Sequence, residues 1–141
     1  MEVRPATADD AAAVAGLLEE LGYRTAAGEV RERLARSAAD PAAGALVAEA
    51  AGCTVALIAY QLIHHLERAR PSCRITTLVT APGHRRRGAA AALLAKVEEL
   101  ARAAGCERLE VTTAPHREDA LAFYREAGFV ERPRRLVRPL G

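Results

Sequence analysis

Aromatic side chains are scarce in this chain. Its 141 residues hold no tryptophan, two phenylalanines and three tyrosines. That shortage counts against a protein that stacks nucleic-acid bases on its surface. Lysine is nearly absent too: Lys96 stands alone among twenty basic residues, and the rest are arginine. Cysteine is limited to Cys53, Cys73 and Cys106, an odd number with no C-x-x-C pair. The spacing fits neither a disulfide framework nor a zinc site, so reduced core thiols and no metal are expected. No apolar run approaches the ~18 residues of a membrane span. The longest candidate, 54–63, is too short and contains Gln61. The opening Met1-Glu2-Val3-Arg4 lacks the basic-then-apolar order of a secretory signal, so a cytoplasmic protein with no membrane partner is expected.

What is present suits one compact domain over residues 1–141. Half of the residues are apolar, enough for a core. GC-rich coding explains much of the arginine and alanine, so position says more than number. Residues 1–70 carry seven basic and ten acidic side chains, and residues 71–141 carry thirteen and eight. A basic second half suits an anionic partner: a nucleotide, a phosphate or a nucleic acid.

The periodicities predict strands at 3–6, 45–50, 54–64, 72–80, 108–113 and 129–137. The last is an edge strand, given Pro133. Helices are predicted from the capping box Thr7-Ala8-Asp9-Asp10 to Gly22, then at 27–37, 88–104 and 118–127. The order is β-α-α-β-β-β-α-β-α-β. A hairpin-rich front half joined to a β-α-β back half makes an α/β (α+β) fold with a mixed, mostly antiparallel sheet flanked by helices.

Two segments carry chemistry. Pro82-Gly83-His84-Arg85-Arg86-Arg87-Gly88-Ala89-Ala90 links a strand to the start of a long helix. A helix N-terminus offers unpaired N–H groups and the positive end of a dipole. Gly88 admits a close backbone approach, and Ala89 and Ala90 keep it open. The result is a phosphate cradle flanked by arginines. It is not a Walker A loop, because no Gly-Lys-Ser/Thr follows. The second segment is Ala120-Leu121-Ala122-Phe123-Tyr124-Arg125-Glu126-Ala127-Gly128-Phe129. Taken alone, it reads as an amphipathic helix with a glycine stop.

Together, in this order and about 35 residues apart, the segments resemble the two signatures of the GNAT superfamily of N-acetyltransferases. Arg85-x-x-Gly88-x-Ala90 is similar to its acyl-coenzyme A motif. Ala120-x-x-Phe123-Tyr124-x-x-x-Gly128-Phe129 is similar to its second motif. The resemblance runs over nearly the whole chain. It implies acetyl-CoA as co-substrate, a primary amine of a small molecule or peptide as acceptor, and direct attack without a covalent enzyme intermediate. It further implies a V-shaped opening between strands 72–80 and 108–113. Pantetheine there would pair with the backbone of Leu78, Val79 and Thr80. The pyrophosphate would rest on Arg85, Arg86, Arg87, Gly88, Ala89 and Ala90, and Tyr124 would serve as general acid. An N–H near Val79 would face the carbonyl oxygen that gains charge.

Two departures stand out. Many relatives carry a glutamate before the cradle, where this chain has Ile75-Thr76-Thr77-Leu78, and an asparagine where it has Arg117. The general base is therefore open among Glu110, His64, His65 and a water chain. The missing acid keeps a coenzyme A-binding sensor or regulatory module as the alternative. Nucleic-acid binding through the arginine runs is a weaker one. Glu19, Glu20 and Tyr23, near the first helix bend, would suit a cationic amine. A homodimer is the family's common habit.

Overall fold

A computed structural model describes residues 1–113, 118–132 and 135–141. The chain forms two compact units, Met1–Val111 and Thr112–Gly141. The first contains β1 (Glu2–Pro5), α1 (Ala11–Glu20), α2 (Ala27–Ala39), β2 (Ala43–Ala50), β3 (Cys53–Ile63), β4 (Ser72–Thr80), α3 (Ala89–Ala103) and β5 (Arg108–Val111). The second contains α4 (Glu118–Glu126). No helix among the described residues is long and apolar enough to cross a membrane.

The five strands lie in chain order, β1-β2-β3-β4-β5. The first four pair antiparallel, and β5 lies parallel to β4 across the α3 crossover. This is the expected mixed, mostly antiparallel sheet. Alternation along the strands sorts the core into two layers. Val47, Leu57 and Val79 face one side, where Val14 and Leu17 of α1 and Val30 and Leu34 of α2 close over them. Leu46, Ala48, Ala56, Ile58 and Ile75 face the other, and α3 packs there with Leu93, Leu94 and Val97. Gly44 pairs with Tyr60 across β2 and β3, and the tyrosine ring fills the space where a Cβ on residue 44 would stand. A side chain there collides with the ring, which explains a glycine in mid-strand.

One expected element differs. Among the described residues of 129–141 no strand forms, although Phe129, Val130, Leu136 and Val137 suggest one. Val130, Leu136 and Val137 are exposed. β-propensity mainly reflects fit to a neighbouring strand, so it does not make a strand where no ladder is at hand. Pro133 and Arg134 lie outside the described residues. β5 also ends at Val111, two residues short of the expected Thr113. Cys53 is exposed rather than in the core, while Cys73 is buried and Cys106 partly so.

The capping box forms and is recruited into a larger network. Thr7 N–H donates to Asp10 Oδ2 at 2.7 Å. Arg4 donates to both oxygens of Asp10, at 2.9 and 2.8 Å, and to Glu49 Oε1 at 2.6 Å. This ties β1 and β2 to the start of α1. Hydrogen bonds from Arg4 are the main cause that holds the buried Asp10 carboxyl below its ordinary range. Burial opposes the shift, and the Thr7 N–H adds to it. A depressed folded-state pKa contributes stability above the unfolded value of about 3.9, lost as pH falls through the folded value. Asp10→Asn should therefore lower stability by roughly 1–3 kcal/mol at pH 7. Its urea midpoint should also fall less steeply than that of the parent between pH 4 and pH 2. Parallel acid profiles for the two proteins would contradict this role.

Candidate active site

β4 and β5 stay together for four rungs, from Ser72↔Arg108 to Ile75↔Val111. β4 then continues through Thr80 while β5 has ended. The parting coincides with a bulge. Ala59 pairs with Thr77 and Tyr60 with Ile75, so Thr76 is an extra residue. Bulges bend a strand and increase its twist. Among the described residues β4 therefore has no partner on its β5 side beyond the Ile75↔Val111 rung, the apex of the opening that the family resemblance implies.

Which backbone groups face the opening follows from one bond. Ala81 N–H donates to Val55 O at 2.8 Å. Antiparallel ladders alternate, so Val79 turns its N–H and C=O toward β3, while Leu78 and Thr80 turn theirs to the side that β5 has left. Val79, by contrast, has its backbone committed to β3 and its side chain buried with α1 and α2. The N–H groups on the open side belong to Leu78 and Thr80.

Beyond Thr80 the chain makes one 3-10 turn, Pro82–His84, and enters the arginine loop. Arg85 is extended, Arg86 has φ 63° and Gly88 has φ 87°. A non-glycine residue in the left-handed region is uncommon, and such backbone strain collects at binding sites. Gly88 is the N-cap of α3. No side chain caps this end, and the first helical bond runs from Ala92 N–H to Gly88 O at 2.9 Å. The N–H groups of Ala89, Ala90 and Ala91 thus precede the helix's own bonding. A Cβ on Gly88 would meet no atom within 4 Å, so conformation, not crowding, requires glycine there. Arg85, Arg86, Arg87 and Gly88 are exposed, Ala90 is partly buried, and Ala89 is buried. Arg85 Nη2 lies 3.9 Å from Glu20 Oε2, which joins this loop to the last turn of α1.

The remaining candidates are more scattered. Glu110 lies one rung before the apex, opposite Arg74. It accepts a 3.3 Å hydrogen bond from Arg108 at Oε2, and Arg74 stands 4.0 Å from its buried Oε1. His64 is exposed beyond the end of β3 and His65 partly buried. β3 ends at the Ile63↔Ser72 pair, three residues or about 10 Å along β4 from the apex. Both histidines therefore follow the end of β3 that lies away from the Leu78–Thr80 edge. Burial, and secondarily Cys106, pushes the Cys73 thiol up to about 11, which keeps it a protonated, poor nucleophile.

Tyr124 belongs to the second unit. It is the buried residue of α4, 6% exposed, and the rings of Phe123 and Phe129 meet it edge-on at 5.4 Å. Leu121 and Phe123, on the same helix, are only half-buried. Phe129 folds back after the turn, with its N–H donating to Tyr124 O at 2.9 Å, and encloses the tyrosine ring. Glu118 and Asp119 open α4, where the helix dipole favours acids. His116 and Arg117 lie outside the described residues.

Comparison with known proteins places these features. The chain is 32% identical over 144 residues to an aminoalkylphosphonate N-acetyltransferase of Salmonella typhimurium, across 99% of this chain and 91% of that one. An Agrobacterium tumefaciens structure described as a putative acetyltransferase superposes with a TM-score of 0.88 at 26% identity, covering 99% and 100% of the two chains. An aminoglycoside acetyltransferase from an uncultured soil metagenomic sample gives 0.78 at 27% identity, covering 99% and 98%. The acetyltransferase (GNAT) family profile matches residues 12–129, and the chain belongs to that family as an acyltransferase enzyme.

Proposed function

We propose that this protein is a cytoplasmic N-acetyltransferase, one domain over residues 1–141, that transfers an acetyl group from acetyl-CoA to the primary amine of a small molecule by direct attack. The observation that carries this is a pair of backbone features that adjoin in the chain: an unpaired strand edge and an uncapped helix N-terminus. The first is the edge of Leu78 and Thr80, open among the described residues, and the second is the left-handed entry to α3 at Gly88. The family match spans both units, which supports a single functional domain.

The residues present fit the coenzyme. Its amide-bearing pantetheine arm matches a strand edge with spare N–H and C=O groups, and its pyrophosphate matches helix N–H groups with arginines beside them. Acetyl-CoA when bound supplies an acyl group as a thioester, activated toward attack by an amine. Leu78 and Thr80 hold the arm, and Gly88, Ala89 and Ala90 hold the phosphates with Arg85, Arg86 and Arg87 around them. Leu78 N–H is the donor aimed where charge develops on the carbonyl oxygen. Tyr124 donates its phenolic proton to the departing sulfur. Glu110 is engaged with two arginines and the histidines stand far along β4. The amine therefore gives up its proton to water. The small-molecule reading draws on the Salmonella relative, whose name states an aminoalkylphosphonate acceptor.

Gly88→Val tests the cradle. Valine is strained at φ 87° and sets a branched side chain in the open space beside the helix end. Losing two charge-assisted hydrogen bonds costs roughly 3–6 kcal/mol. Calorimetry should show coenzyme A binding nearly abolished while circular dichroism stays native. Wild-type affinity in the folded variant would remove the cradle from the site.

Tyr124→Phe tests the acid. Turnover in a thiol-release assay should fall on the order of 10²–10⁴-fold while coenzyme A affinity changes little. A tyrosine that only packs would instead lose roughly 1 kcal/mol of stability and keep its rate. Measuring turnover and melting temperature on the same variant separates these outcomes.

A further inference from the structure

The rung beside the apex carries charge that the transfer chemistry above does not use. Side chains of Thr77 and Val79 lie on the sheet face that α1 and α2 cover, opposite Ala59 and Leu57. The extra residue Thr76 resets the alternation, so Arg74 and Ser72 remain on that same face, with Gln61 beside Arg74. Parallel register then puts Glu110 next to Arg74 and Arg108 next to Ser72, again on that face. Arg74, Glu110 and Arg108 thus form one cluster there, and its upper rung sits a single residue, about 3.3 Å, from the apex.

The cluster has two guanidinium groups and one carboxylate. Arg108 holds Glu110 by a hydrogen bond. The Arg74 side chain makes no hydrogen bond to another described residue. Its contact with Glu110 is a 4.0 Å ion pair, and its side chain is 48% exposed. An arginine has five donors in a planar fork that matches carboxylate and phosphonate oxygens. A rung that served only to pair the strands would seat the fork on the carboxylate. Here the fork stands off, accessible, with one positive charge in excess over the single carboxylate.

We infer that Arg74, supported by Arg108, reads an anionic group on the acceptor. The preferred substrate is a small primary amine that carries a phosphonate, phosphate or carboxylate a few bonds from its nitrogen. Seated on Arg74, such an anion leaves its amine one rung away, at the apex. Glu110 is a positioning residue that keeps the two guanidinium groups together. This inference rests on the acetyltransferase reading and seats the acetyl group at the inner end of the open edge, between Leu78 and the apex.

A matched acceptor series tests it: 2-aminoethylphosphonate, β-alanine, ethanolamine and 1,3-diaminopropane, each followed by thiol release from acetyl-CoA. The two anionic amines should show the higher kcat/KM. Arg74→Gln should raise KM for them roughly 10–100-fold, the loss of a charge-assisted hydrogen bond. It should leave kcat nearly unchanged and move ethanolamine by less than about 3-fold. Arg74→Lys should restore part of the effect, as a point charge without the fork. A neutral or cationic amine used as well as the anionic pair would overturn the inference. So would an Arg74→Gln loss equal for every acceptor, or a protein that binds coenzyme A and acetylates neither anionic amine. Failure of coenzyme A to bind in calorimetry would instead strike at the acetyltransferase reading itself.

Discussion

A parallel pair that lasts only four rungs governs this molecule. Buried or half-buried backbone groups need partners, and a strand inside a sheet ordinarily finds them on both sides. β4 finds them on the β3 side throughout, but on the β5 side only from Ser72 to Ile75. The bulge at Thr76 marks the point of divergence. Beyond it, Leu78 and Thr80 present a ready ladder edge, and the chain then enters α3 through an N-terminus that no side chain caps. An extended, amide-containing ligand with a phosphate tail answers both needs together.

Electrostatics then distributes roles along that line. The arginine loop stands where the helix dipole is positive, so two positive fields coincide there. Glu20, in the last turn of α1, has no basic residue in its own turn and lies against Arg85 instead. At this degree of exposure such a pair contributes little to stability. Its position still links the cradle loop to the start of the bend between α1 and α2. The Arg4–Asp10–Glu49 network differs in kind. Asp10 is buried, its partners are hydrogen-bonded at short range, and it anchors β1 to the start of α1.

Much of this was legible in residue order. Thr7 and Asp10 announced the first helix, the strands at 45–50 and 54–64 the β2–β3 pair, and Gly88 the start of α3. These are local signals, set by caps, turns and periodicity within a few residues. The pairing of Arg85-x-x-Gly88-x-Ala90 with Phe123-Tyr124-x-x-x-Gly128-Phe129 pointed to the family, because two motifs at the right separation rarely coincide by chance. The last strand was misread for the opposite reason: alternating apolar residues at 129–137 have strand character, but pairing decides whether a strand exists.

The sequence by itself determined the element order through α4, the location of the cradle and the family. Those follow from short-range chemistry and from motif spacing. Only the tertiary structure decided which residues face the opening. It assigned Val79 to the core and Leu78 and Thr80 to the edge, because that choice depends on ladder phase relative to β3. It buried Tyr124 between two rings, because Phe129 returns across the helix end. It also set Arg74 beside Glu110 and Arg108 from a strand more than thirty residues away, a neighbourhood that parallel register creates and no local pattern encodes.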